Sequence, residues 1–241
     1  MSVLDRASRI LDALADTRRR LTLRDIADIA GIPRSSVHRL VQELEELQYL
    51  MPTPAGGYRL GPGLLKLALT SQQQIVVPMR PALAALGREV NENVDLAVLS
   101  GGEVVVIEQI ASAHRLQAVT QVGRTFPIHA SSIGKALLAQ LPDTEIAAML
   151  PARLDAYTPN TIVDPDALLA EIAAVRRLGF AVDNEEHDIG ISSVATSLRH
   201  PGGIAQAVSI VAPTHRFQQQ RKKFIDALRD AHYRSGGQRA C

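Results

Sequence analysis

The chain has 241 residues, 46% of them hydrophobic and 21% charged, a composition typical of a globular protein with one large or two modest domains. It contains no uncharged apolar run long enough to span a bilayer, and the first five residues lack the pattern of a signal peptide, so we expect a cytoplasmic protein with no membrane partner. The formal net charge is only +1, and the single cysteine, Cys241, excludes an intrachain disulfide and a cysteine-based zinc site.

Three short helices are predicted at the start of the chain. Apolar residues recur at helical spacing within residues 7–14, 23–30 and 37–44, and Gly31-Ile32-Pro33 separates the second run from the third. A helix-turn-helix needs a small residue where its helices cross and a glycine whose backbone turns left-handed. Ala27 and Gly31 meet these two requirements, so the sequence predicts a helix-turn-helix.

The third helix is followed by a predicted β-hairpin. Residues 52–57 are rich in proline and glycine, and Tyr58-Arg59-Leu60 has strand character. Helical spacing alone fits a three-helix bundle with a solvated polar face equally well. A basic hairpin directly after the third helix is the arrangement of a DNA-binding wing, which favours a winged helix-turn-helix.

The polar face of the third helix predicts contacts to double-stranded DNA. Recognition helices use their N-terminal residues for base contacts, which points to Ser35, Ser36 and Arg39, with His38 on the same face. Thr22, Arg34 and Arg59 suit phosphate contacts, and residues 18–20, all arginine, could reach flanking phosphates.

Gly61-Pro62-Gly63 suggests a domain boundary. We expect a DNA-binding domain at 1–63, a linker helix at 64–78, and an effector-binding and oligomerisation domain at 79–241. Hydrophobic patterns in the third part predict an α+β fold, an antiparallel sheet flanked by helices. The expected strands are 94–99, 104–110, 116–122, 180–183, 193–198 and 204–211, and the expected helices are 79–91, 133–141, 143–150, 165–178 and 216–232.

Several motifs in order resemble the IclR family of bacterial regulators, over nearly the whole chain. They lie at residues 23–40, 57–61, 127–138, 157–162, 179–186 and 190–195. The resemblance implies a winged helix-turn-helix, a GAF-like effector domain, a homodimer or dimer of dimers, and control by a small organic acid. A twofold dimer would require a pseudo-palindromic operator, and repression is the expected outcome.

The second domain is expected to bind a carboxylate. Ser131 and Ser132 precede a helical run and can cap it, leaving backbone N–H groups that favour an anion; a simple cap beside a solvated Lys135 explains the pattern equally well. Ser193 stands where the family usually has cysteine, and Val211 where it has serine, which favours a less polar effector such as an aromatic acid. The resemblance places effector contacts at Phe126, Ser132, Ile133, Asp183, Ser193, Ser209 and Val211.

Two functions other than regulation are also compatible with parts of the sequence. Ser132 and Lys135 have the Ser-x-x-Lys spacing of some acyl-transferring enzymes, so a small amide or ester hydrolase is the alternative. Its companion motifs are absent from the sequence, and we expect no catalytic residue. His129 and residues 185–188 lack the spacing of a His-Glu-x-x-His zinc site, so we expect neither a metal nor a cofactor. A sensor or scaffold module that binds no nucleic acid is the third possibility.

Overall fold

The computed structural model describes residues 1–15, 20–118, 120–199 and 204–234. Internal contacts divide the chain into two units, Met1–Val77 and Pro78–Cys241. None of the helices in the described ranges is long and apolar enough to cross a membrane.

The first unit is a winged helix-turn-helix, as predicted. Its elements are α1 (Val3–Ala15), α2 (Leu23–Ala30), α3 (Arg34–Glu46), β1 (Leu50–Pro52), β2 (Tyr58–Leu60) and α4 (Pro62–Ile75). The first three helices share a core that includes Ile10, Ile26, Val37 and Leu40, so the apolar spacing seen in the sequence corresponds to one buried cluster. The two strands pair as an antiparallel hairpin, and Leu21 bridges to Tyr58 at its edge.

The turn between α2 and α3 depends on Gly31. This residue has φ 65° and ψ 38°, and its N–H donates to the Ala27 carbonyl oxygen, which ends α2 in a left-handed cap. At the other end of α2, Thr22 and Asp25 form a reciprocal capping box. Both ends of this short helix are therefore fixed by local hydrogen bonds.

The second unit is an α+β domain built on one antiparallel sheet. Its strand order is β5-β4-β3-β8-β7-β6, and every pairing is antiparallel. The strands are β3 (Asn93–Ser100), β4 (Glu103–Ile110), β5 (Thr125–Phe126), β6 (Ala181–Asn184), β7 (Ile191–Arg199) and β8 (Ala205–Pro213). The helices are α5 (Arg80–Val90), α6 (Ser132–Leu138), α7 (Asp143–Met149), α8 (Pro165–Leu178) and α9 (Thr214–Arg234).

Alternate residues of the central strands face two separate cores. Leu96, Val194 and Val208 pack with apolar residues of α5 and α9. Their neighbours Ala97, Ala195 and Ala207 pack with residues of α6, α7 and α8 on the opposite face. The sheet is thus covered on both sides, with small residues on the side where α6 approaches.

The prediction of a strand at 116–122 is wrong. The structure has no strand there among the residues it describes, and β5 lies further on, paired with β4. Side chains hold this segment instead of a strand ladder. Asn93 bonds the Ser112 N–H and the Ala118 carbonyl oxygen, and Arg216 donates to the Leu116 carbonyl oxygen over 2.8 Å. Leu116 is 64% exposed, so the apolar residue at this position does not mark a buried strand. Val119 lies outside the described residues.

Candidate functional site

A cavity of about 230 Å³ lies in the second unit, on the face of the sheet that α6 covers. It is smaller than the roughly 300–1,000 Å³ typical of drug-sized ligand sites, which indicates a small ligand. All seven residues expected to contact the effector line it, although the sequence spreads them over 86 positions: Phe126, Ser132, Ile133, Asp183, Ser193, Ser209 and Val211. Their role in binding stays a prediction.

Strand register brings the polar residues of the cavity floor together. Ser193 of β7 lies opposite Asp183 of β6 and Val211 of β8. Ser209 lies opposite Asp95 of β3. Because these residues alternate with the ones that face α5 and α9, they all project towards the same side of the sheet.

A short hydrogen-bonded chain connects α6 to the floor. The Oγ atoms of Ser132 and Ser193 are 2.7 Å apart, and Ser193 Oγ donates to Asp183 Oδ2 over 3.4 Å. Ser131, rather than Ser132, is the N-cap of α6, and its Oγ accepts from the Gly134 N–H. Gly134 lets α6 lie close to the backbone of Ile128, because a Cβ at residue 134 would overlap the Ile128 carbonyl.

Burial raises the pKa of the Asp183 carboxyl to about 7, and the nearby charge of Glu186 adds to the increase. Hydrogen bonds from the Glu186 N–H and Ser193, together with the charge of Lys135, act in the opposite direction. Near neutral pH, Asp183 is therefore divided between a neutral acid that can donate a hydrogen bond and a carboxylate that cannot.

Lys135 is fully buried, so the alternative of a simple cap beside a solvated lysine is wrong about this side chain. Its Nζ donates to Glu186 Oε1 over 2.6 Å and lies 3.5 Å from Glu171 Oε1. These carboxylates, rather than the Ser132 hydroxyl, hold the Lys135 Nζ. The hydroxyl of Ser132 is paired with Ser193, so the contacts give no support to the hydrolase alternative.

Charged and aromatic residues lie together at one part of the cavity lining. The guanidinium carbon of Arg124 is 5.1 Å from the centroid of the Phe126 ring, and Phe126 makes an edge contact with the ring of His187 at 5.4 Å. His187 Nδ1 is 2.8 Å from Asp188 Oδ2. Arg124 is exposed, so it adds a positive charge where the cavity meets solvent.

Sequence reasoning missed several lining residues, including Asp95, Arg124 and His187. Asp95 had a detectable signal, since an acidic residue between Val94 and Leu96 interrupts an apolar strand. In the polar run at 185–188, Glu186 is buried and His187 lines the cavity. Within the described ranges, no group of three or more potential metal ligands is placed to hold an ion.

The residues expected to contact DNA are solvent-accessible in the first unit. Arg34, Ser35, His38 and Arg39 are exposed on α3, Ser36 is half-buried, and Arg59 is exposed on β2. No side chain caps the N-terminus of α3. Of the arginines at 18–20, Arg20 is exposed, whereas Arg18 and Arg19 lie outside the described residues.

Two of these residues already have partners in the free protein. Arg39 forms an exposed ion pair with Glu43 one helical turn away, at 2.6 Å. The Thr22 hydroxyl donates to Asp25 Oδ2 over 2.7 Å, so a phosphate would share it with the capping box. Exposed ion pairs contribute at most about 1 kcal/mol, so Glu43 does not prevent Arg39 from turning to another anion.

Comparison with known proteins matches both units to regulator families. The family model for the IclR helix-turn-helix domain matches residues 3–54, and that for the C-terminal domain of bacterial IclR transcriptional regulators matches residues 67–234. The HTH-type transcriptional regulator Rv1719 of Mycobacterium tuberculosis is 38% identical over 229 residues, covering 95% of this chain and 88% of its own. The transcriptional repressor IclR of Escherichia coli is 29% identical over 233 residues, covering 93% and 85%.

Solved structures agree over nearly the full chain. An IclR regulator from a Silicibacter species has a TM-score of 0.89 at 29% identity, covering 98% of this chain and 97% of its own. An IclR homologue from Microbacterium hydrocarbonoxydans, solved in complex with 4-hydroxybenzoate, has a TM-score of 0.74 at 29% identity and covers 96% of each chain.

Proposed function

This chain belongs to the IclR family of bacterial transcriptional regulators, and from that membership we propose how it binds DNA and what controls it. Residues 1–63 bind double-stranded operator DNA, 64–78 form the linker, and 79–241 bind a small carboxylate effector and contribute to oligomerisation. The protein acts in the cytoplasm, where its DNA is, and it performs no catalysis. The observation that carries the effector part is that all seven expected contact residues line one cavity.

Arg39 and its neighbours on α3 contact the base edges in the major groove. The exposed side chains of Ser35, His38 and Arg39 and the half-buried Ser36 supply donors and acceptors, while Thr22, Arg34 and Arg59 contact phosphates. The uncapped N-terminus of α3 adds backbone N–H groups, which favour an anion. Since the net charge is only +1, affinity depends on the position of each group more than on overall attraction.

The effector's carboxylate binds where the side chains of Ser132, Ser193 and Asp183 meet. Two hydroxyls and a carboxyl that is partly protonated near neutral pH can donate hydrogen bonds to it. Phe126 and Val211 add apolar wall beside this polar group, which favours an aromatic acid over a smaller polar one. The relative solved with 4-hydroxybenzoate binds a ligand of this chemical class.

The protein acts as a homodimer or a dimer of dimers. Helix α4 has no buried residue within the single chain, and Leu65, Leu67 and Leu69 are each more than half exposed. Apolar surface of this kind is characteristic of association sites, and a second copy would cover it. A twofold dimer then requires a pseudo-palindromic operator.

Effector binding shifts the dimer between two states of different operator affinity. We favour repression, released by the effector, since the Escherichia coli relative is a repressor. An effector that prefers the state with weak operator affinity lowers the occupancy of the operator. The size of this effect depends on the ratio of the effector's affinities for the two states.

Promoter binding by the full-length protein tests the DNA proposal. We expect Arg39→Ala to weaken binding to the DNA upstream of the gene by about 5- to 150-fold in fluorescence anisotropy at fixed salt, because a bidentate base contact contributes roughly 1–3 kcal/mol. Arg24→Ala is a matched control, since Arg24 is an exposed arginine of α2 outside the proposed set. Equal affinity of wild type and Arg39→Ala would refute the assignment.

Thermal-shift measurements with benzoate and its ring-substituted derivatives test the effector proposal. A ligand that binds only the folded protein raises the unfolding temperature. Ser193→Ala removes the hydroxyl that bonds Ser132 and Asp183 and adds no atom to the cavity, so it should abolish the shift. If no carboxylate in the series stabilises the wild type, the effector proposal fails while the DNA proposal still stands.

A further inference from the structure

Asp95 is a buried carboxyl that the proposed effector contacts leave unused. It lies in β3, is 3% exposed and lines the cavity. Its two chain neighbours, Val94 and Leu96, are fully buried on the opposite face of the sheet. A carboxyl is costly to bury unless its oxygens are hydrogen-bonded, so what surrounds this one limits what it can do.

Among the described residues, two side chains hydrogen-bond to the Asp95 carboxyl, and they leave lone pairs of its oxygens free to accept. Gln109 Nε2 donates to Asp95 Oδ1 over 2.9 Å, and the Thr120 side chain also hydrogen-bonds to the carboxyl. A carboxylate has about four lone-pair positions, and these two bonds occupy two of them. Ser209, its partner across the β3–β8 pair, lies on the same cavity floor. The remaining positions are available to a donor inside the cavity.

Asp95 lies at the opposite end of the floor from the carboxylate-binding group. Asp183 is on β6 and Asp95 is on β3, with β7 and β8 between them. The register aligns Asp183 with Ser193, Val211 and Asn93, so Asp95 also lies two residues further along the strands. Two strand spacings and this offset place the backbone of Ser193 about 12 Å from that of Asp95. After one hydrogen bond of about 2.8 Å at each end, about 6 Å is left, which suits one aromatic ring with its substituents.

We propose that Asp95 determines effector specificity by accepting a hydrogen bond from a hydroxyl or amino group on the ring, at the end remote from the carboxylate. The effector class is then a hydroxy- or amino-substituted aromatic acid rather than an unsubstituted one. This inference rests on the proposed function, because it assumes that the carboxylate is bound near Asp183.

Isothermal titration calorimetry of the full-length protein at pH 7 tests this inference. The probes are benzoate, 3- and 4-aminobenzoate, and 3- and 4-methylbenzoate, in which a methyl group replaces the amine at similar size without a donor. A hydrogen bond to a charged group contributes roughly 1.5–3 kcal/mol, so the wild type should bind one aminobenzoate at least about tenfold more tightly than its methyl counterpart.

Asp95→Asn should remove this preference and leave benzoate affinity within about threefold. Gln109 Nε2 is a donor, so it holds the amide oxygen at the position of Oδ1, and the amide nitrogen that replaces Oδ2 cannot accept from the ligand's amine. Asp183→Asn is the matched control, the same substitution at the other buried acid. It should change the affinity for all the benzoates together and keep the ratio of amino to methyl.

Three outcomes would overturn the inference. If the wild type binds the methylbenzoates as tightly as the aminobenzoates, Asp95 does not select a donor, and the proposed function stands. If Asp183→Asn loses the preference and Asp95→Asn keeps it, the selecting residue is Asp183. If no probe binds at all, both this inference and the effector proposal fail.

Discussion

Replacing Asp183 with asparagine should stabilise the protein in a way that grows with pH. Burial raises the pKa of this carboxyl from 3.8 to about 7, so between these values the folded protein holds a proton that the unfolded chain has released. Stability therefore falls as pH rises from about 4 to about 7, and above pH 7 the full cost of burying the charge remains. Asparagine keeps an oxygen that can accept from the Glu186 N–H and does not ionise.

The magnitude follows from the pKa difference. Each pKa unit corresponds to about 1.4 kcal/mol, so the stability of Asp183→Asn relative to wild type should increase by roughly 2–3 kcal/mol between pH 5 and pH 8. Urea unfolding followed by circular dichroism at both pH values measures this change. Other titrating groups, Asp95 among them, cancel because they are present in both proteins.

Asp155→Asn provides the control, because Asp155 is an exposed acid in the same unit. Its effect on stability should be nearly the same at pH 5 and pH 8. If Asp183→Asn also shows a constant difference within about 0.5 kcal/mol, the Asp183 carboxyl is not desolvated and the reasoning is wrong.

Three other predictions concern the second unit. Arg216→Met should destabilise the protein by about 3 kcal/mol in urea unfolding, because it removes both arginine hydrogen bonds of the Glu92 carboxylate, which is 1% exposed, and leaves it only the longer contact with His114 Nε2 at 3.7 Å. Adding Glu92→Gln should restore part of the loss, and no recovery would contradict an ion-pair origin. Gly134→Ala should lower the unfolding temperature and weaken benzoate binding, since a Cβ there overlaps the Ile128 carbonyl; unchanged values for both would show that α6 can shift freely. Ester turnover of 4-nitrophenyl acetate should be the same in wild type and Ser132→Ala, because Lys135 is paired with Glu186, whereas a Ser132-dependent rate would revive the hydrolase.

The elements with strong periodicity could be predicted from the sequence. Residues 165–178 were expected to form a helix, and α8 has the same bounds. Gly31 was expected in a left-handed turn and has φ 65°. In these cases a local requirement, an apolar spacing or a backbone angle, agrees with the tertiary structure, so a pattern within a few residues contains enough information.

What the sequence could not show depends on long-range contacts. The segment at 116–122 resembles a strand, but side chains of Asn93 and Arg216, distant in sequence, bond its carbonyl oxygens at residues 118 and 116. From the sequence, a solvated Lys135 stays open as an alternative, and only the fold reveals Glu186 and Glu171 around its Nζ. The seven expected cavity residues came from family resemblance, whereas Asp95, which that resemblance did not include, was missed.

Side chains of the central strands alternate between the two faces of the sheet, so a point substitution and a change in strand length have different consequences. In β7 and β8, one set of side chains packs against α5 and α9, and the other set alternates between the second core and the cavity floor. Single substitutions at positions such as 193, 209 or 211 can alter the ligand without touching the α5–α9 core. Inserting or deleting one residue in these strands would turn each set of side chains to the opposite face of the sheet. The α5–α9 core and the cavity floor would then be lost together. Descendants of this protein could therefore acquire new effectors by point mutation while the length of these strands stays fixed.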